Sequence, residues 1–119
     1  MPYGFGGFGP PLHAPPRVTT AKAGAALPVT WRLTGFDGSY VSRLDAVGSL
    51  SYKPTSCDNF TTDPAGAMDA RAAGPTVLRY DVTADQYVYA WATPSTPGCA
   101  TFFLTLASGQ RFSAYVRLS

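Results

Sequence analysis

Three large aromatic side chains fall on alternate residues within one short stretch, DQYVYAW: Tyr87, Tyr89 and Trp91. A β-strand sends successive side chains to opposite faces, so these three rings share one face and the residues between them share the other. Aligned rings of this kind either form a platform on which sugar rings stack or pack inside a protein core. The function depends on which face of the strand meets water.

If the ring-bearing face is wet, Trp91, Tyr89 and Tyr115 are the candidate ligand-stacking residues, and a polysaccharide is the ligand that they would suit. Burying three rings, in contrast, removes several hundred Å² of apolar surface from water, at roughly 25 cal/mol per Å². This free energy favours the core interpretation. The platform remains as the alternative, because the opposite face of the same strand could point inward.

Other residue types that carry chemistry are few. His13 is the only histidine and lies in a Pro-rich start, so a Ser/His/Asp site would need that segment to position its base. All seven acids are Asp, and no pair lies in a motif of glycoside hydrolases. The weak calcium candidates Asp58, Asp63 and Asp69 could supply oxygen ligands from one irregular segment, although solvated loop acids are the simpler interpretation. We therefore predict no catalytic residues, no cofactor and no metal.

The two cysteines, Cys57 and Cys99, are far apart and lack the CxxC spacing of a zinc site or a thiol redox motif. We predict a structural disulfide between them, with two buried free thiols as the alternative. Closing a loop of about 43 residues would stabilise the fold by roughly 4 kcal/mol in the chain-entropy model. A disulfide would also indicate an oxidising compartment.

Composition narrows the fold class. The chain has 119 residues, 45% of them apolar, and a formal net charge of +2. This size suits about one domain, and the scattered basic residues do not predict nucleic-acid binding. No apolar run approaches the roughly 20 residues of a membrane span. Glu is absent and Lys occurs only at Lys22 and Lys53, so strong helix formers are scarce and an all-β fold is favoured.

The chain divides into an arm and a domain. Residues 1–16 are rich in Gly and Pro, so we predict an arm or flexible linker there and a domain over 17–119. Its aromatics, Tyr3, Phe5 and Phe8, could instead dock the arm on its own domain or on a neighbouring chain.

Alternating apolar residues and turn signals predict short strands. Leu27, Val29, Trp31 and Leu33 give the clearest period of two. Residues 40–46 suit either an edge strand or a loop, and 57–74 is irregular. The predicted fold is an immunoglobulin-like β-sandwich of about seven antiparallel strands with Greek-key connections and one disulfide. The strands are expected at 17–22, 27–34, 48–53, 76–81, 86–93, 100–106 and 111–118.

Tyr87 follows an apolar strand and an Asp-bearing turn, which is the setting of the tyrosine corner of immunoglobulin-like sandwiches. There the ring enters the core at the E–F corner and its hydroxyl bonds to backbone upstream. Tyr89 would then occupy the inward position that holds Cys in antibody domains. The predicted Cys57–Cys99 disulfide therefore has a different role from the antibody-type pin between sheets.

Two runs resemble the bacterial PxKF domain family: PRVTTAKAGAALPVTWRL at 16–33 and, more specifically, LRYDVTADQYVYAWAT at 78–93. The Gly/Phe/Pro arm and the two cysteine positions also resemble that family. The sequence departs at the name motif itself, where Thr30 stands for Lys and Trp31 for Phe. The resemblance implies an immunoglobulin-like module without assigned activity, carried by secreted or cell-surface bacterial proteins.

The leading hypothesis is thus a non-catalytic extracellular module that spaces, docks or anchors a larger protein. Its partner would be an upstream domain of the same polypeptide or another surface protein. A carbohydrate-binding module is one alternative. Self-association is another, in which Phe5 and Phe8 of the arm dock on a neighbour's sheet edge.

Overall fold

The computed structural model describes residues 3–9, 12, 17–61, 63, 65–70 and 78–119. The described chain is nearly all β and forms two sheets packed as a sandwich. One 3-10 turn, Leu44–Ala46, precedes the fourth strand. The strands are β1 Gly4–Phe8, β2 Val18–Ala21, β3 Ala26–Thr34, β4 Val47–Thr55, β5 Met68–Asp69, β6 Arg79–Asp81, β7 Gln86–Ala92, β8 Gly98–Leu106 and β9 Arg111–Leu118.

The first sheet has the order β1-β3-β7-β6, and the second has the order β2-β9-β8-β4-β5. The pairings between neighbouring strands are antiparallel apart from β2 with β9, which is parallel. The predicted all-β sandwich is confirmed. Two of the nine described strands, β1 and β5, were not among the seven predicted.

The core lies between the inner faces of the two sheets. In β3 the side chains of Leu27, Val29, Trp31 and Leu33 are buried, as their alternation predicts. The opposite sheet supplies aliphatic and aromatic side chains from β8 and β9. These are Phe102, Leu104, Leu106, Ala114, Val116 and Leu118.

The first aromatics of the arm belong to this sandwich, so a linker over 1–16 was wrong for the residues described there. β1 pairs with β3, and Phe5 and Phe8 are both partly buried against the core. The Phe5 ring stacks on Phe112 with centroids 3.9 Å apart. Phe8 meets the Trp31 and Phe102 rings edge to face.

Propensity alone does not predict β1, because its sequence is GFGGF. The pairing register slips between Phe5 and Phe8, and Gly7 has a φ of 99°, a backbone conformation that glycine adopts without strain. Aromatic contacts across the sandwich therefore stabilise this edge strand. Phe5 and Phe8 pack on their own sandwich, as one of the two docking alternatives predicts, and docking on a neighbouring chain stays a prediction.

Candidate functional site

The three rings of β7 point into the core. Tyr87 and Trp91 are fully buried, and only 8% of Tyr89 is exposed. A sugar ring cannot stack on side chains that solvent does not reach. The predicted ligand platform at Trp91 and Tyr89 is therefore wrong, and the core interpretation of this strand is correct.

The rings of β7 contact aromatic side chains of both sheets. The Trp31 and Tyr87 rings stack within the first sheet, with centroids 5.4 Å apart and an interplanar angle of 11°. Trp91 contacts Tyr52 and Phe102 of the second sheet, with centroid distances of 5.3 and 5.1 Å. These aromatic pairs add to the area buried, because offset and tilted rings attract one another.

Tyr115, the third predicted stacking residue, lies on the other face of β9 from the core residues Ala114 and Val116. Its ring is half-buried, and one side is covered by Phe60, whose ring centroid is 4.5 Å away at an interplanar angle of 17°. Phe60 belongs to the segment between β4 and β5. The Tyr115 ring therefore packs against that segment, and this face of the ring is not open to a ligand.

The Tyr87 hydroxyl donates a 2.7 Å hydrogen bond to the backbone carbonyl of Arg43. The ring is buried and its acceptor lies upstream, as in a tyrosine corner. However, the acceptor is 44 residues away, across the sandwich, whereas a tyrosine corner bonds only a few residues back. The acceptor therefore differs from the one that the predicted tyrosine corner would use.

Burial raises the pKa of Tyr87 from 10.0 to about 12, with smaller effects from neighbouring ionisable groups. Tyr89 donates its hydroxyl to the carbonyl of Ala70, next to the edge strand β5. Burial, followed by the charge of Asp69, raises the pKa of Tyr89 as well. Both phenols are thus held neutral and used as structural hydrogen-bond donors.

The Cys57–Cys99 disulfide is formed. Thr55, at the end of β4, is the register partner of Cys99 in β8, so the bond joins neighbouring parts of one sheet and does not staple the two sheets together. It fixes the start of the β4–β5 segment, whose Phe60 then covers Tyr115. This is how the disulfide differs from an antibody-type pin.

Several aspartates cap turns. Asp37 accepts bonds from the amide and hydroxyl of Ser39, and these bonds lower the pKa of Asp37. Asp63 accepts from the amide of Ala65, and Asp81 accepts from the amide of Thr83. Carboxylates in such positions order loops.

The calcium hypothesis is not supported by this arrangement. Asp58, Asp63 and Asp69 are exposed, and within the described ranges no three Asp, Glu, His or Cys side chains converge as metal ligands would. His13 lies outside the described residues. No helix that could span a lipid bilayer is present in the part of the chain that the structure describes.

The sequence reasoning missed an exposed apolar surface at one end of the sandwich. We call it the loop end: residues 35–46 between β3 and β4, and residues 82–85 between β6 and β7. Phe36 is 90% exposed and Val82 is 77% exposed, and Tyr40 and Leu44 are also exposed. Arg32 donates two hydrogen bonds to the Ala84 carbonyl, which ties the second loop to β3. The only sequence signal was an aromatic beside the turn pair Asp-Gly.

A groove of about 280 Å³ lies at the opposite end of the sandwich. Most of its lining side chains are apolar. We call it the proline groove, and its main residues are Tyr52, Pro54, Pro94, Pro97 and Leu118.

No protein-family model matches the chain, and no curated protein matches it significantly. The resemblance to PxKF domains therefore stays a prediction.

Proposed function

We propose that this chain is a non-catalytic structural or interaction module of a larger secreted or surface-attached bacterial protein. The observation that carries the proposal is the use of its aromatic side chains. Tyr87, Tyr89 and Trp91, the residues best suited to ligand stacking, are buried in contacts that hold the sandwich together. These three rings therefore stabilise the fold.

The polar side chains support the same proposal. Asp37, Asp63 and Asp81 cap turns, and the Tyr87 and Tyr89 hydroxyls bond to backbone carbonyls. These bonds order the loops at the ends of the strands. Loops that are already ordered lose little conformational entropy when a partner protein binds to them, which suits a spacer or docking module.

The disulfide supports an extracellular setting. Disulfides persist in oxidising compartments and are rare in the reducing cytosol. Cys99 is only 5% exposed, whereas Cys57 is exposed, so one half of the bond is packed in the sheet and the other meets solvent. A module held in this way suits a protein exposed to proteases and changing conditions.

The test compares the larger protein with and without this module on the bacterial surface. We expect loss of the module to lower surface retention or protease resistance, while activity of the remaining protein on soluble substrate is kept. A Cys57→Ser/Cys99→Ser variant should show a partial loss of protease resistance, and Val18→Ser, on the exposed edge strand β2, is the matched control. Unchanged retention and resistance after removal of the whole module would contradict the proposal.

A further inference from the structure

We propose that the Cys57–Cys99 disulfide is a directional thiol-exchange site, at which a small-molecule thiol attacks the Cys57 sulfur and Cys99 leaves as a thiolate stabilised by Arg117. The attacking thiolate forms a mixed disulfide on Cys57 and breaks the bond between Cys57 and Cys99. Cys99 keeps the electron pair of that bond, and the proton lost by the attacking thiol returns to Cys99 through solvent. Cys57 is then a modification site for thiols, a property that goes beyond the proposed function and does not depend on it.

The two cysteines differ in their access to solvent. Cys57 is exposed in a turn that is closed by a 3.1 Å hydrogen bond from the Asn59 amide to the Ser56 carbonyl. Cys99 is only 5% exposed and lies in β8, between β4 and β9. A thiolate attacks one sulfur in line with the bond, from the side opposite the sulfur that leaves. The approach to Cys57 is therefore from solvent, whereas the packed sheet obstructs the approach to Cys99.

Charge favours the same direction of attack. Arg117 in β9 is the register partner of Cys99, and such partners share one face of the sheet with Cβ atoms about 5 Å apart. Arg117 is exposed, and its guanidinium forms no ion pair with an acid among the described residues. Its positive charge stabilises a thiolate on Cys99, and a sulfur that carries negative charge readily leaves faster. Asp58, next to Cys57, disfavours a thiolate on Cys57.

The fold keeps the two cysteines close after the bond has opened. β8 is paired on both sides, with Thr55 of β4 and Arg117 of β9 opposite Cys99. Cys57 is only two residues beyond Thr55, so its mixed disulfide stays within reach of the Cys99 thiolate. Attack by Cys99 on the Cys57 sulfur expels the small thiol and restores the original bond. The modification is therefore reversible and persists only while the small thiol is abundant.

Opening the bond also loosens the segment that covers the outer face of the second sheet. Phe60, three residues after Cys57, stacks on Tyr115 with ring centroids 4.5 Å apart. Lys53 of β4 holds the same segment by a 3.3 Å hydrogen bond to the Asp63 carbonyl at the exposed surface. Without the disulfide the segment has more conformational freedom, so we expect Phe60 to leave Tyr115 more often. Thiol exchange at Cys57 would then increase the exposure of the Tyr115 ring.

Trapping the first product tests the direction of attack. The oxidised chain is mixed with cysteamine, a small thiol, and free thiols are alkylated with N-ethylmaleimide after a short incubation. Cys57 and Cys99 fall in different tryptic peptides, so mass spectrometry without reductant locates both groups. Cysteamine should be found on Cys57 and the maleimide on Cys99. Cysteamine mainly on Cys99, equal amounts on both cysteines, or no adduct at any time would overturn the inference.

A pair of arginine variants tests the role of charge. Arg117→Gln removes the cation opposite Cys99 and should slow the exchange several-fold at low ionic strength, with a smaller effect in high salt. Arg111→Gln removes an exposed arginine from the same face of β9, opposite Thr105, and should leave the rate unchanged. Circular dichroism verifies that both variants are folded. Equal rates for the two variants would contradict stabilisation of the Cys99 thiolate by Arg117.

Nitration of tyrosine by tetranitromethane measures the release of Phe60. Tyr115 should be nitrated faster in Cys57→Ser/Cys99→Ser than in the wild type, and Tyr40, which is already exposed, should react equally in both. Phe60→Ala keeps the disulfide and gives the rate for a Tyr115 ring without its cover. A double variant in which Tyr115 reacts as slowly as in the wild type would show that the segment stays in place without the bond.

Discussion

The Tyr87 hydroxyl donates a 2.7 Å hydrogen bond to the Arg43 carbonyl and so joins β7 of one sheet to the segment that leads into β4 of the other. The same ring stacks on Trp31. One side chain therefore links the first sheet to the loop end, from which Phe36 projects.

Tyr87→Phe removes this hydrogen bond and keeps the ring. We expect the free energy of unfolding to fall by about 1 kcal/mol, because a typical intramolecular hydrogen bond contributes that much. Tyr40→Phe, at an exposed tyrosine, is the control and should change stability little. Denaturant unfolding of the two variants and the wild type measures the difference, and equal effects would contradict the assigned role.

Alkaline pH should destabilise the fold. The pKa of Tyr87 is raised from 10.0 to about 12, so the folded state favours the neutral phenol. The stabilisation is complete below about pH 10 and is lost as pH rises toward 12, by at most about 3 kcal/mol for this group. Burial raises the pKa values of Tyr80 and Tyr89 in the same direction. Denaturant midpoints measured across this range should fall less steeply for Tyr87→Phe than for the wild type, and parallel curves would count against this assignment.

Loss of the disulfide should be costly. Cys57→Ser/Cys99→Ser releases a long loop, and the chain-entropy model predicts a loss of about 4 kcal/mol in the free energy of unfolding. Reductant should lower the stability of the wild type by a similar amount and should not affect the double variant. A double variant as stable as the wild type would show that β4–β8 pairing alone fixes this region.

Asp85 adopts a φ of 52°, in the left-handed region that glycine adopts freely, Asp and Asn less so, and other residues such as Ala only at a cost. Both Asp85→Gly and Asp85→Ala remove the carboxylate, which accepts a weak 3.4 Å bond from Tyr80, so they differ only in backbone preference. We expect the Gly variant to be more stable than the Ala variant by about 1 kcal/mol. Thermal unfolding measures the stability of both variants. An Ala variant at least as stable as the Gly variant would show that the backbone at residue 85 is not strained.

Periodicity predicted much of the fold because the core of a sandwich repeats every second residue. The inward faces of β3 and β7 follow directly from Leu27 to Leu33 and from Tyr87 to Trp91. The disulfide partners followed from cysteine spacing. Several strand boundaries also followed from the turn signals, as at Arg111–Leu118, whereas the strand predicted at 76–81 begins at Arg79, and residues 76 and 77 lie outside the described ones.

The remaining features depend on contacts between distant residues. The three glycines of β1 lower its strand propensity, and the strand is stabilised by contacts of Phe5 and Phe8 with rings of distant residues, which are Phe112, Trp31 and Phe102. The acceptor of Tyr87 depends on which strands become neighbours, which alternation does not specify. The exposure of Phe36 likewise depends on how its loop folds back, so this exposed surface could not be identified from sequence.

The most direct test of the central claim, that the aromatic rings form the core, is quenching of tryptophan fluorescence by iodide. Trp31 and Trp91 are the only tryptophans, and both are buried. The folded chain should show almost no quenching, and strong quenching should appear when denaturant unfolds it. Quenching of the folded chain that equals that of the unfolded chain would place these rings in water and contradict the account.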